Sequence, residues 1–171
     1  NNTIVRQNEQ SLVLQACDLR PTDSRGVYKN INVDMRQYKK LRMFTHAEAQ
    51  EGSMLEAGEM IAFIRMGNDF TQNYYQIEVP LLPSSDAEGS VRERIWPEQN
   101  EINIPLEFLQ KIKALGISAG TLSNDDPTFY NVVDGVLNET PLATLNPPYN
   151  DIVGTQKQQR IAIKGNPNFG D

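Results

Sequence analysis

Residues 74–82 read Tyr-Tyr-Gln-Ile-Glu-Val-Pro-Leu-Leu, and the alternation of their side chains decides the fold class. Successive side chains of a strand point to opposite faces. The stretch therefore presents two sets of residues, which are Tyr75, Ile77 and Val79 on one face against Tyr74, Gln76 and Glu78 on the other. A strand with one apolar and one polar face is typical of an antiparallel sheet that covers a core. The stretch predicts a half-buried strand in a mostly-β protein.

Further strand patterns lie on both sides of this stretch. Residues 60–67 are apolar on both faces, which predicts a strand in the centre of a sheet. Other short alternating or apolar runs occur at 11–17, 26–35, 38–49, 129–133, 136–137 and 159–164. Asp134-Gly135 separates two of them and favours a tight hairpin turn. Short strands divided by turn residues predict an antiparallel β-sandwich rather than βαβ units.

One helix is predicted, from residue 105 to residue 115. Pro105 suits the first helical position, where its missing N–H costs nothing. Leu106, Leu109 and Ile112 form an apolar stripe at helical spacing. Gly116 follows where a left-handed C-terminal cap is expected. We expect this helix to close one end of the sandwich.

Length and charge limit the classes of function. The 171 residues predict a single β-sandwich domain over 1–171, and the ordinary share of charged residues, 22%, is that of a globular protein. The net charge of −6 argues against nucleic-acid binding, which requires a basic face. No apolar run approaches the roughly 20 residues of a membrane-spanning helix. The first six residues do not resemble a natural start, so we expect a fragment of a much larger protein.

The sequence offers little material for catalysis. His46 is the only histidine and Cys17 the only cysteine, and neither lies beside a nucleophile elbow or a phosphate-binding loop. His46 and Glu48 share a strand face, but a zinc site needs a third protein ligand. Cys17 is predicted to be a small buried residue. We therefore expect no enzyme activity, with a hydrolase built on His46 or on two carboxylates as the least favoured alternative.

A cation site and a sugar site stay open as alternatives. Residues 124–126 read Asn-Asp-Asp, yet no window opened there ends on the glutamate of an EF-hand. A looser structural calcium site is compatible with this loop, and no other cofactor is expected. Aromatic rings near strand ends can stack on sugars, so a carbohydrate-binding module is the second hypothesis. The candidate interaction residues are Tyr74, Tyr75, Trp96, His46 and Glu48.

Several longer segments resemble one family. They are Gln-Asn-Glu-Gln-Ser-Leu at 7–12, Gly-Val-Tyr-Lys-Asn at 26–30, Tyr-Lys-Lys-Leu-Arg-Met-Phe-Thr-His-Ala-Glu-Ala at 38–49, the run from Ile-Arg-Met-Gly to Glu-Val-Pro-Leu at 64–81, Ile-Trp-Pro-Glu-Gln-Asn-Glu at 95–101, and Lys-Gly-Asn-Pro-Asn at 164–168. In this order they are similar to a region of SprA, also called Sov, from Bacteroidetes. The resemblance is thinnest from 122 to 156.

The resemblance implies a function that composition does not show. SprA/Sov proteins are giant outer-membrane proteins of gliding motility and type IX secretion. Membership would make this chain a soluble, non-catalytic domain of a protein-secretion translocon, on the extracellular or the periplasmic side. The implied partners are other translocon subunits, secreted cargo proteins and the membrane barrel of the parent protein. No catalytic or binding residue is implied.

The order of strands also resembles a galactose-binding-type jelly roll. In that fold a further strand follows the turn at 165–167, where this chain is about to end. The resemblance therefore implies an exposed sheet edge, and edge-strand homo-association of the isolated fragment is a further expectation.

Overall fold

A computed structural model describes residues 11–31, 33–84, 95–145, 147–149, 152 and 156–168. The chain divides into two units, Asn1–Asn32 and Val33–Asp171. In the first unit, residues 11–31 form neither helix nor strand. The strand predicted at 11–17 is therefore wrong, and Cys17 is exposed rather than buried. The apolar residues of the segment 11–17 favour a strand, but no neighbouring strand pairs with this segment within the described residues.

The second unit contains the regular elements. The strands are β1 (Lys40–Met43), β2 (Ile61–Gly67), β3 (Tyr74–Pro80), β4 (Ile102–Pro105), β5 (Thr128–Val133), β6 (Val136–Leu137) and β7 (Gln158–Lys164), and helix α1 spans Leu106–Ala119. Short 3-10 helices form at Met35–Gln37 and Glu98–Asn100. The first of these begins at the last residue of the strand predicted at 26–35. The described residues of that range form no strand, so this prediction is also wrong. The strand predicted at 38–49 is reduced to β1.

Two antiparallel sheets build a mostly-β, sandwich-like structure with one α-helix among the described residues. The larger sheet has the strand order β2-β3-β7-β5-β6, and β1 pairs with β4 in the smaller one. This confirms the predicted fold class. The jelly-roll connectivity, the likeness to galactose-binding domains and the single-domain assignment over 1–171 stay predictions.

The core lies on one face of the larger sheet. Tyr75, Ile77 and Val79 of β3 are buried there, as their alternation predicted. Ile161 and Ile163 of β7 join them, and the residues that cover this face include Ile102, Ile104, Leu109 and Ile112. Helix α1 packs against β7, β1 and β4. It covers the sheet face with its apolar stripe, so the prediction that it closes one end of the sandwich is wrong.

β2 lies at an edge of the larger sheet and pairs with β3. The prediction of a central strand at 60–67 is therefore wrong, and the residues of β2 are half-buried rather than buried. The apolar residues on the two faces of β2 make different contacts. Ile64 and Met66 pack against the core. Phe63 lies on the other face, 5.7 Å below the guanidinium of Arg65.

The helix ends one turn later than the sequence suggested. Gly116 is buried inside α1. A Cβ at this position would lie 2.4 Å from the Leu122 side chain. The left-handed cap is Gly120, with a φ of 64° and an N–H directed at the Gly116 and Ile117 carbonyls. Gly116 is thus a packing glycine, and its role as cap was predicted wrongly.

The hairpin between β5 and β6 is confirmed. Asp134 and Gly135 adopt φ angles of 49° and 77°. Two consecutive left-handed residues form the turn type whose twist matches that of paired strands. Asp134 also accepts a hydrogen bond from the backbone N–H of Lys157 at 2.8 Å. The turn is thereby attached to the segment that enters β7.

Candidate functional site

The face of the larger sheet that points away from the core carries a buried polar network. Strand register places Glu78 opposite Arg160, and Arg160 opposite Asn131. On the outer side, Arg65 of β2 faces Gln76 of β3. Gln76, Glu78 and Arg160 are each at most 7% exposed. The network is defined here as Arg65, Gln76, Glu78, Asn131, Arg160 and, above the sheet, Tyr149.

The outer half of the network is a chain of hydrogen bonds. Arg65 Nε and Nη2 donate to Gln76 Oε1 at 2.8 and 2.6 Å. Gln76 Nε2 in turn donates to Glu78 Oε1. The Arg65 guanidinium lies 3.9 Å from the centre of the Tyr74 ring, a cation–π contact. These contacts fold the arginine over the sheet.

The inner half of the network holds a loop against the sheet. Arg160 Nε donates to Asn131 Oδ1 at 3.2 Å, and Nη2 donates to the Pro148 carbonyl at 3.2 Å. Nη1 donates to the Pro147 carbonyl. The Tyr149 ring stacks on the guanidinium at 3.7 Å. Arg160 therefore binds residues 147–149 through both its charge and its planar face.

Burial changes the protonation chemistry of this face. Burial raises the pKa of the Glu78 carboxyl, while Gln76 and the charges of Arg160 and Arg65 act in the opposite direction. Burial also raises the pKa of the Tyr149 hydroxyl, and the charge of Glu78 raises it further. Glu78 Oε2 and the Tyr149 hydroxyl are buried close to each other without the geometry of a full hydrogen bond, and their interaction lowers the pKa of Glu78 less than burial raises it. A buried carboxylate that lacks full hydrogen bonding destabilises the fold when it is ionised.

This arrangement predicts a pH dependence of stability. The pKa of Glu78 is raised in the folded state, so the folded state binds the proton more tightly than the unfolded state. The stability that protonation contributes is fully present below the ordinary pKa of 4.5 and is lost as pH rises through the folded pKa. The unfolding free energy of the wild type minus that of Glu78→Gln should therefore fall with rising pH. Urea titrations across the acidic to neutral range measure it.

Glu107→Gln is the matched control for this measurement, because Glu107 is an exposed carboxyl in the first turn of α1. The Glu78 difference should fall with rising pH by more than the Glu107 difference does. A Glu78 difference that stays flat or rises with pH would contradict the prediction.

A second polar cluster joins two loops at one end of the larger sheet. In the β2–β3 loop, Asp69 Oδ1 accepts the backbone N–H groups of Thr71, Gln72 and Asn73 at 2.9, 2.5 and 3.0 Å. Asn73 Nδ2 donates to the other carboxylate oxygen at 2.9 Å. These hydrogen bonds hold the pKa of Asp69 well below its usual range. The carboxylate organises the loop.

The turn after β7 docks on this loop. Asn73 Oδ1 accepts the Asn166 N–H at 3.0 Å, and Asn68 Oδ1 accepts the Asn168 N–H at 2.9 Å. Gly165, which directly precedes Asn166, has a φ of 62°, and its N–H donates to the Ser123 carbonyl at 2.8 Å. We call this contact the asparagine junction, formed by Asn68, Asn73, Gly165, Asn166 and Asn168. Side-chain amides thus hold the turn after β7 against the β2–β3 loop.

Three of the five predicted interaction residues lie together. The His46 and Trp96 rings are 5.4 Å apart, and His46 Nε2 lies 3.4 Å from Glu48 Oε2. His46 Nδ1 is 2.7 Å from the Ile95 carbonyl, and Ser84 Oγ is 3.4 Å from each ring nitrogen. The Ser84 hydroxyl thus shares the two ring nitrogens with the Ile95 carbonyl and the Glu48 carboxylate. The two contacts to Ser84, at 3.4 Å each, are longer than the roughly 2.6–3.2 Å expected between a general base and its nucleophile.

Tyr74 and Tyr75 lie on opposite faces of β3 and do not join this cluster. Tyr74 is 5% exposed beneath Arg65, and Tyr75 is 1% exposed in the core. Tyr130 is also buried in the core. None of these three rings can serve as an exposed stacking platform.

The described residues contain no group of three or more His, Cys, Asp or Glu side chains that could hold a metal ion. In the loop at 124–126, the Asp125 N–H is bound to Ser123 Oγ at 3.0 Å. A calcium ion at this loop stays a prediction.

A shallow groove of about 310 Å³ lies between α1 and the asparagine junction, where Lys113 Nζ donates to the Pro167 carbonyl at 2.7 Å.

The polar network contains the residues that sequence reasoning missed. Alternation placed Gln76 and Glu78 on the polar face of β3 correctly, but it says nothing about whether a loop covers that face. The available signal was indirect. Glu78 and Arg160 are opposite charges on two predicted strands, and residues 147–149, Pro-Pro-Tyr, offer a stiff aromatic segment that could cover such a pair.

The comparison with protein families bears on the whole chain. The model of the family SprA_N, described as a motility related/secretion protein, matches residues 1–171. The chain belongs to this family. The resemblance noted from the sequence is thereby confirmed. Comparison with curated proteins finds no match. Among the residues with described structure, no helix is long and apolar enough to cross a membrane.

Two segments that carry the SprA_N resemblance meet in the structure. The run at 64–81 contributes Asn68 and Asn73, and the run at 164–168 contributes Asn166 and Asn168, to the asparagine junction. The segment at 7–12 lies largely outside the described residues, since the structure begins at residue 11. The asparagines therefore have a structural reason for their presence in these motifs, which is the closure of the sheet end.

Proposed function

We propose that this chain is a non-catalytic structural and interaction domain of an outer-membrane protein-secretion translocon, acting in type IX secretion and gliding motility. The observation that carries the proposal is the family match over residues 1–171, to motility related/secretion proteins. Its partners would be other translocon subunits, secreted cargo proteins and the membrane barrel of the same long protein.

The use of the buried polar side chains supports a structural role. Arg160 binds the loop at 147–149, and Asn73 binds the turn after β7. Glu101, buried at 6% exposure, pairs with Arg42 of β1 and with Lys157 at 3.5 Å. Burial raises the pKa of Glu101, but the Arg42 hydrogen bond and the Lys157 charge outweigh it and lower that pKa overall. Each of these side chains attaches one segment to another.

The geometry gives less support to the two alternatives. A carbohydrate-binding module was expected to present a row of exposed rings, yet Tyr74, Tyr75 and Tyr130 are buried, which leaves Trp96, 42% exposed, without these three rings beside it. A hydrolase built on His46 requires a ring nitrogen close to a nucleophile, and the Ser84 hydroxyl lies 3.4 Å from each nitrogen, beyond the roughly 2.6–3.2 Å of such pairs. Neither alternative is proposed.

The proposal predicts that secretion depends on the presence of this domain and does not depend on His46. Removing residues 33–168 from the full-length protein in its own host should block release of cargo and gliding, while the parent protein still reaches the outer membrane. The matched control is His46→Ala, which should leave secretion unchanged. Immunoblots of cell, membrane and medium fractions measure both. Normal secretion without the domain, or secretion abolished by His46→Ala at normal protein levels, would contradict the proposal.

The side of the membrane can be determined with the same strain. A protease-cleavable epitope tag at Gly52 should be tolerated, because this turn is exposed and a side chain there would meet nothing within 4 Å. Cleavage on intact cells would place the domain outside, and protection until the outer membrane is opened would place it inside.

A further inference from the structure

β2 has one unpaired side in the part of the chain that the structure describes. Its ladder partner is β3. Leu81 N donates to the Met60 carbonyl at 2.9 Å before the strand begins, and Asn68 N donates to the Asn73 carbonyl at 3.1 Å beyond its end. Both are hydrogen-bonded pairs of an antiparallel ladder, and such pairs alternate along the strands. Even-numbered residues of β2 therefore direct their backbone groups at β3, and the outward-facing set is Ile61, Phe63, Arg65 and Gly67.

This edge lacks the protection that sheet edges usually carry. Exposed edges are normally blunted by short length, prolines or outward charges. β2 has seven residues and no proline. Its one charged residue, Arg65, folds over the sheet onto Gln76 and the Phe70 carbonyl instead of projecting from the edge. Among the residues that the structure describes, no strand binds the outward N–H and C=O groups of β2.

We propose that β2 pairs antiparallel with β2 of a second copy of this chain, about a two-fold axis at Ile64. The match of outward backbone groups is complete in this register, which pairs Ile61 with Gly67, Ala62 with Met66, Phe63 with Arg65 and Ile64 with itself. On one face, half-buried apolar residues meet their counterparts and extend the core side of the sheet. On the other face, Phe63 of each copy lies opposite Arg65 of the second copy, which permits cation–π contact.

Competing registers fit less well. A shift that centres the axis on Arg65 places two arginines opposite each other, and like charges directly opposite are destabilising. A shift to Phe63 pairs a shorter stretch and leaves Gly67 outside the strand it would face. Each copy also carries a net charge of −6, so association should strengthen as salt screens the repulsion. The inference does not depend on the proposed role in secretion.

Cross-linking tests the register directly. In a Cys17→Ser background, Ile64→Cys should form an intermolecular disulfide under oxidised glutathione. The two residues 64 form a non-hydrogen-bonded pair with Cα atoms about 4.5 Å apart, within the range that a disulfide bridges. Met66→Cys is the matched control on the same strand and face, because the two residues 66 are separated by about 13 Å along the strands. We expect roughly tenfold more cross-linked dimer for Ile64→Cys, since only its pair satisfies disulfide geometry.

A mixture of the Ala62→Cys and Met66→Cys chains should give the heterodisulfide in preference to either homodimer. The unmodified chain should show a concentration-dependent dimer in sedimentation velocity, favoured by salt. Phe63→Pro should abolish that dimer, because it removes an outward N–H without removing a bond to β3. A monomer at all concentrations, equal cross-linking of residues 64 and 66, or a dimer that survives Phe63→Pro in a folded protein would each overturn the proposal.

Discussion

Replacing Arg160 by methionine is expected to lower the free energy of unfolding by about 3–5 kcal/mol, the usual effect of removing one partner from a buried charge network. Arg160 is 4% exposed and donates to Asn131 and to the carbonyls of Pro147 and Pro148. Methionine keeps much of the side-chain length but supplies no donor. It also removes a positive charge that counteracts the effect of burial on Glu78. Denaturant titration followed by circular dichroism measures the loss.

Arg36→Met is the matched control for Arg160→Met. Arg36 pairs with Asp34 at 2.8 Å, but its side chain is 62% exposed. Exposed ion pairs contribute about 0–1 kcal/mol, so the control should lose little. The double variant Arg160→Met with Glu78→Gln should recover part of the loss, because the orphaned carboxylate is then neutral. A loss for Arg160→Met no larger than that of Arg36→Met would show that the network does not hold the loop.

The predictable part of this fold is the part in which local pattern and tertiary packing agree. The alternation of β3 placed Tyr75, Ile77 and Val79 in the core without knowledge of any partner strand. Asp134-Gly135 gave its turn because two left-handed residues are a local requirement. The segment at 11–17 has an equally good strand pattern and forms none. A strand exists only when a partner accepts its backbone groups, and no residue of the segment itself specifies that partner.

Two errors have the same origin. β2 is apolar on both faces, which commonly indicates a central strand. Here Phe63 is covered by the folded Arg65 of its own strand, so an edge position satisfies the same composition. Gly116 carries the composition of a helix cap, but it lies within the helix, where the Leu122 side chain packs against it. Composition states that a site is apolar or small, and only the tertiary contact states the reason.

The candidate sites were predictable only in part. His46 and Glu48 were placed on one strand face by spacing, and the structure brings Trp96 to them from a distant segment. Tyr74 and Tyr75 were grouped because they are adjacent in sequence, although adjacency in a strand places side chains on opposite faces. The polar network could not be predicted, because the residues that cover Glu78 and Arg160 come from a loop with no periodicity.

Gly165→Ala is expected to cost about 2–5 kcal/mol, combining about 1–2 kcal/mol of left-handed backbone strain with about 1–3 kcal/mol of overpacking. Gly165 has a φ of 62° in the asparagine junction. A Cβ at this position would lie 2.2 Å from the Gln72 carbonyl oxygen and 2.5 Å from Asn73 Oδ1. The first contact is with backbone, which cannot rotate away. The alanine must therefore separate the turn after β7 from the β2–β3 loop.

Gly135→Ala measures the contribution of backbone strain by itself. Gly135 also has a positive φ, 77°, but a Cβ there would meet nothing within 4 Å. It should lose about 1–2 kcal/mol, from backbone strain alone. The excess loss in Gly165→Ala, measured by denaturant titration of both variants, then reports the steric contact within the junction. Equal losses would mean that the two loops separate at no cost, and the asparagine junction would then make no contribution to the stability of the sheet end.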